Sequence, residues 1–83
     1  MSSYRTAVSS TNTIDALSSN TYEWQDLNGG VPVSGGLRQL SGSLQLEVVM
    51  YPSGNPPESW KFRVHNPNND EVSFTLSVVS DIS

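Results

Sequence analysis

Eighty-three residues with a formal net charge of −4, from four Lys+Arg against eight Asp+Glu, leave room for one small domain and argue against nucleic acid, whose phosphates call for a basic patch. Only 35% of residues are hydrophobic and 14% charged, while 15 Ser, 7 Asn and 5 Thr fill much of the rest, which is a composition of strands and turns rather than helices. No apolar run is long enough for a membrane helix, no cysteine is present for disulfides, thiolate chemistry or cysteine zinc sites, and Met1–Thr6 lacks the apolar core of a signal peptide. The expectation is either a chain kept inside the producing cell or one whose leader has been removed, with a virion or intracellular setting favoured over secretion and no membrane insertion, cofactor or metal.

Taken in chain order, Tyr4–Val8 is the first candidate strand. Thr13–Leu17 fits either one helical turn or a strand. Thr21–Asp26 alternates, with Tyr22 and Trp24 on one face. Asn28-Gly29-Gly30 and Gly35-Gly36 read as turns around Val31-Pro32-Val33, where Pro32 suits an edge strand because it has no N–H for a ladder. From Leu44 the period of two is clear, with Leu44, Leu46, Val48 and Met50 on one face. Pro52–Ser59, with three prolines and a glycine, reads as a loop. Trp60–His65 alternates again: Trp60, Phe62 and Val64 point one way, Lys61, Arg63 and His65 the other. Asn66–Asp70 has the composition of a turn, and Glu71–Val78 is a further alternating strand.

The last three strands can be registered on one another. The short Asn66–Asp70 connection favours an antiparallel hairpin that pairs Val64 with Val72, Phe62 with Phe74, Trp60 with Leu76 and, outside, His65 with Glu71. On the other flank, Met50 opposite Trp60 sets Val48 against Phe62 and Glu47 against Arg63, an opposite-charge pair. The predicted fold is all-β: a single domain over residues 1–83, built as a small antiparallel β-sandwich or open barrel. Its core is a three-stranded meander at 44–78, within a strand-rich half at 44–79. The polar, turn-rich residues 1–43 supply covering strands or an arm. A domain this small has a limited core, so assembly with itself or docking on a larger surface would add stability.

Candidate sites divide unequally. His65, the single histidine, would need a serine and Asp70 or Asp81 for hydrolase chemistry; no Gly-x-Ser-x-Gly elbow is present, and a solvated strand residue beside Glu71 is the simpler reading. Asn66-x-Asn68-x-Asp70 spaces oxygens like a calcium loop, but Glu71 and Ser77 stand where that loop needs Gly and Glu, so a self-bonded Asn turn is favoured. The acidic pairs Glu23 with Asp26 and Asp70 with Glu71 lie in or beside turns and read as solubilising. Among the aromatics, Trp60, Phe62 and Phe74 belong to the core, while Trp24, Tyr22 or Tyr51 could lie flat as a sugar-stacking platform, with a core role favoured for Trp24. The outer meander face carries Val49, Tyr51 and Val79 among Gln45, Glu47, Lys61, Arg63, Thr75 and Ser77, a mixture that fits either a buriable protein–protein patch or a face covered by the first half of the chain.

The stretch Trp60–Val78, strand then Asn-Pro turn then strand, resembles the final hairpin of β-sandwich accessory domains such as the pre-peptidase C-terminal type, and strand pairs in small bacteriophage coat proteins. The accessory domains' aspartate-bearing motif is missing, as are the coat proteins' basic sheet face and two trailing helices, so no functional residue carries over. The function expected is therefore that of a non-enzymatic structural or interaction protein. It would be a homo-oligomer or part of a larger protein assembly, such as a capsid decoration or tail component, with Val49, Tyr51, Lys61, Arg63 and Val79 at the interface. The alternative is a carbohydrate- or surface-binding β-sandwich accessory domain of a secreted enzyme.

Overall fold

The computed structural model describes residues 3–25 and 29–82. It builds seven strands: β1 (Tyr4–Val8), β2 (Asn12–Ile14), β3 (Ser19–Trp24), β4 (Val31–Gln39), β5 (Glu47–Gly54), β6 (Pro57–His65) and β7 (Val72–Asp81). Among the described residues no helix forms, and so none is long and apolar enough to cross a membrane. The predicted turn residue Asn28 and the predicted strand end Asp26 lie outside the described residues.

All strand pairs are antiparallel, and they form two sheets. In the first, β7 is central. Both β1 and β4 pair with its residues 77–81, and both β2 and β4 reach Phe74, so β4 must occupy one flank while β1 and β2 lie in line on the other. The gap between β1 and β2 is bridged by Ser9, whose N–H donates to the Leu76 carbonyl at 2.8 Å and whose Oγ accepts the Leu76 N–H at 2.9 Å. In the second sheet β6 is central, with β3 and β5 on its flanks.

The period of two decides which faces meet. On β7, Val72, Phe74, Leu76, Val78 and Ser80 are buried without a break, and on β6 Phe62 and Val64 join them. With Ile14 and Leu46 these apolar side chains form one core, each at most 5% exposed. The two lateral seams differ. Along one, Tyr22 sets its ring edge-on to Phe74 (centroids 5.1 Å apart, planes at 78°) and donates its hydroxyl to the Thr13 carbonyl at 3.2 Å. Beside it the Trp24 indole N–H donates to the Ala7 carbonyl at 3.1 Å. Trp24→Phe keeps the packing and removes this bond, so a loss of about 1 kcal/mol in urea denaturation is expected. Along the other seam, Leu37 and Gln39 of β4 face Leu46, Val48 and Met50 across a cavity of about 350 Å³.

The all-β antiparallel sandwich is as the alternation predicts, and the sheets do not close into a barrel. The meander at 44–78 is corrected. β6 and β7 are not a hairpin; Asn66–Glu71 carries the chain from one sheet to the other. Val64, Phe62, Val72 and Phe74 meet as facing layers of the core rather than as ladder partners, and the third strand beside β5 and β6 is β3. The hairpin resemblance of Trp60–Val78 fails for the same reason. Both β6 and β7 are central strands whose two flanks are taken, so neither has an edge to offer the other.

The physical device that permits the crossing is a buried asparagine bracket. The Asn66 amide nitrogen donates to the carbonyls of Ile14 (3.2 Å), Asp15 (3.1 Å) and Asp70 (2.9 Å). Its oxygen accepts the backbone N–H and the side-chain amide of Asn68, both at 2.9 Å. Asn68 in turn exchanges two bonds with the Leu44 backbone, at 2.8 and 2.9 Å. Three crossings between the sheets, after β2, β4 and β6, are thereby tied together. Polar groups at 0% and 5% exposure are tolerable only because partners satisfy them.

Four smaller differences follow. β5 and β6 do pair, but two residues out from the expected register: Met50 faces Phe62, Val48 faces Val64 and Glu47 faces His65. The shift keeps the parity of every side chain, so the hydrophobic pattern alone could not choose between the two registers. The expected Pro52–Ser59 loop shrinks to a turn at Asn55–Pro56, with Gly54 at φ 99° absorbing the reversal. Gly35-Gly36 is not a turn but the middle of β4, for the Trp60 indole occupies the place where a Gly35 Cβ would be. Thr13–Leu17 divides into the end of β2 and a turn with Leu17 at φ 54°.

The molecule is elongated, 46 × 22 × 17 Å, with a radius of gyration of 13.5 Å against about 12 Å for a compact chain of this length. The β5–β6 hairpin accounts for part of this, since its ladder runs on to Gly54 and Pro57 while β3 ends opposite Trp60.

Candidate docking face and polar cleft

The outer face of the β3–β6–β5 sheet is a grid of three rows set by the two registers. The rows read Ser19–His65–Glu47, Thr21–Arg63–Val49 and Glu23–Lys61–Tyr51. Val49 is 59% exposed and Tyr51 36%, so two apolar side chains lie in water beside two cations, with Glu47 and Glu23 at opposite corners. Four of the five expected interface residues, Val49, Tyr51, Lys61 and Arg63, therefore share one surface.

Val79 does not join them. It sits on β7 between Thr6 and Ser34, in the other sheet, and points out from the opposite side of the sandwich. Thr75 and Ser77 go with it. Its outward parity holds but its sheet differs from the expected one, because outward on β7 and outward on β6 are opposite directions once the two strands face each other. Around Val79 that opposite face carries Tyr4 and Val8, each 60% exposed, among Ser and Thr.

An open cleft of about 610 Å³ lies along the first two rows. There the Ser19 Oγ is 2.7 Å from His65 Nδ1, and His65 Nε2 is 3.8 Å from a Glu47 carboxylate oxygen. The two-residue register shift is what puts Glu47 here, so His65 stands beside Glu47 and not beside Glu71, Asp70 or Asp81. A serine, a histidine and a carboxylate in line have the composition of a nucleophile relay, but they sit in one row of a water-accessible sheet face. The ion pair is itself exposed, at 41% and 72%, and holds the register only weakly. No part of this row was legible as a row from the sequence, since it depends on strand register.

The remaining candidates resolve by hydrogen bonding. Asn66 and Asn68 turn their amide oxygens onto protein N–H groups, so the Asn66-x-Asn68-x-Asp70 spacing is a structural bracket and not a calcium loop. Asp70 and Glu71 are exposed in the crossing, and Asp26 lies outside the described residues. Tyr22 and Trp24 face inward and pack on the core, which removes two of the three aromatics offered for a sugar platform and leaves Tyr51.

Fold and surface together define a small two-sheet antiparallel β-sandwich with one mixed apolar and charged sheet face. No known family model, curated protein or solved structure matches the chain.

Proposed function

We propose that this chain is a non-enzymatic structural and interaction protein that assembles with itself, the setting being a larger protein assembly such as a virion, as a capsid decoration or tail component. The supporting observation is the grid itself: Val49 at 59% exposure and Tyr51 at 36% stand among Arg63, Lys61, Glu47 and Glu23. Exposed apolar groups flanked by both signs of charge match the core-and-rim pattern of an interface. No comparable observation favours carbohydrate, because Trp24 and Tyr22 serve the core.

Val49 is already in water, so Val49→Asp leaves the thermal midpoint near that of the wild type. The variant is expected to reach a smaller mass at high concentration than the parent chain when both are followed by light scattering. Association unchanged in both Val49→Asp and Arg63→Glu would remove this face from the proposal.

A further inference from the structure

We propose that β3 is the self-association edge: two copies pair β3 to β3, antiparallel and centred on Thr21, so that two three-stranded sheets become one of six strands. This deepens the self-assembly reading above and rests on it.

The four sheet margins are not equivalent. β4 carries Pro32 and a register shift between Pro32 and Ser34. β5 carries Pro52, and its register shifts at Ser53/Gly54. The β1–β2 lane is interrupted between Val8 and Asn12 and holds Arg5 on an inward-parity position opposite buried Ser80. Prolines, bulges and inward charges are the devices that keep sheet edges from pairing. β3 has none of them: Ser19-Asn20-Thr21-Tyr22-Glu23-Trp24 is regular over all six residues, and among the described residues it pairs with β6 alone. Ser19, Asn20, Thr21 and Glu23 are all exposed along it.

Cross-strand compatibility of β3 with a second copy of itself selects the register. Outer side chains must meet outer ones, so only registers that preserve parity are allowed. Centred on Thr21, each Thr21 faces its copy, each Ser19 faces Glu23, and each Asn20 faces Tyr22, whose hydroxyl already lies 3.5 Å from its own Asn20 amide. The first row then reads Glu47, His65, Ser19 and, across the junction, Glu23, Lys61, Tyr51, so a carboxylate arrives beside the serine that bonds His65. The two Arg63 side chains stand three strand spacings apart, roughly 14 Å, beyond the screening length at physiological salt. A Thr–Thr pair and a Ser–Glu pair are favourable cross-strand neighbours, and no like charges face each other. The alternative centre, Tyr22, places Tyr22 on Tyr22 and Trp24 on Asn20, crowding two rings whose polar tips are committed to Thr13 and Ala7. Pairing about Thr21 also makes the Val49–Arg63 row continuous through both copies.

Because the chain has no cysteine, a single introduced one reports unambiguously. Full-length Thr21→Cys, oxidised at a concentration where the parent chain associates, is expected to form a covalent dimer at least tenfold faster than Thr75→Cys, on the other sheet. Thr21→Lys and Thr21→Glu, each placing like charges opposite one another, are expected to remain monomeric with unchanged circular dichroism and to associate when mixed. Equal cross-linking rates for the two cysteine variants, or a Thr21→Lys chain that associates as the parent does, would overturn the β3 edge while leaving self-assembly standing. A parent chain that keeps its 9.0 kDa mass at every concentration overturns both.

Discussion

Asn66→Ala is expected to be the most damaging polar substitution in this chain, lowering stability by about 3–5 kcal/mol. The side chain is 0% exposed and makes five hydrogen bonds. Its removal strands the buried Ile14 carbonyl and the Asn68 backbone N–H and loosens the Asp15 and Asp70 carbonyls, while the Asn68 side-chain amide keeps its bond to Leu44. Each buried polar group left unpaired costs about 1–3 kcal/mol. A folded chain of this length has only roughly 4–12 kcal/mol in total, so a loss of this size removes a large share of it. Asn66→Asp should fare no better, for it keeps an acceptor but replaces the amide donor with a buried charge. Asn69→Ala is the matched control, three residues further on and exposed, and should change stability by less than about 0.5 kcal/mol. Urea denaturation of the three variants decides the point, and a loss under about 1 kcal/mol for Asn66→Ala would show that the bracket is not what holds the sheets together.

Gly35→Ala ranks second. An ideal Cβ at Gly35 would lie 2.1 Å from Trp60 Cδ1 and 2.4 Å from Trp60 Nε1, so the indole must leave its place over β4. That ring packs against the core, and displacing it costs about 3 kcal/mol. Elsewhere in a strand the same change helps, because glycine loses more backbone entropy than alanine. The neighbouring position supplies that comparison. At Gly36 the added Cβ meets only the Ser77 hydroxyl at 2.9 Å, a small group that can rotate away, so Gly36→Ala should be close to neutral. A smaller residue at position 60 makes room: Trp60→Leu in the Gly35→Ala background should show a coupling of about 1–2 kcal/mol in a double-mutant cycle. Additive losses would mean that the two sheets do not meet at this contact.

Sequence and structure agree where a rule of period two suffices. From Leu46 onward the apolar parity faces the core, fully buried on β7 and at Phe62 and Val64 and fraying to half-exposed Met50 on β5, and Val49, Tyr51, Lys61 and Arg63 share the outer face. Disagreement begins wherever information beyond one strand is required. Parity does not say which sheet a strand joins, and so Val79 was placed with Val49 although the sandwich separates them. Nor does parity distinguish registers two residues apart, and so Glu47 was paired with Arg63 rather than His65, which hid the Ser19–His65–Glu47 row. The Asn66–Asp70 segment has the composition of a hairpin turn because the same small polar residues that close turns also satisfy backbone groups in a crossing. Gly35 read as a turn residue for a related reason: glycine marks both a sharp bend and a close approach, and only the position of Trp60 tells the two apart.

The small polar residues of the first half also take on a more definite role. Ser9 fills the gap between β1 and β2, Ser19 anchors His65, and Ser18 and Leu17 bond the asparagine crossing through their backbone. Low charge and low hydrophobicity here mark a sandwich whose seams are sewn by amide and hydroxyl groups, leaving one regular strand at a margin and one mixed face open to solvent.

The central claim is that this surface and this edge serve self-assembly. Light scattering on the full chain over a wide concentration range, beside Thr21→Lys under the same conditions, tests it most directly. The account predicts that the parent rises from 9.0 kDa to at least twice that mass while the variant does not. A parent chain that scatters as a 9.0 kDa monomer throughout would contradict it.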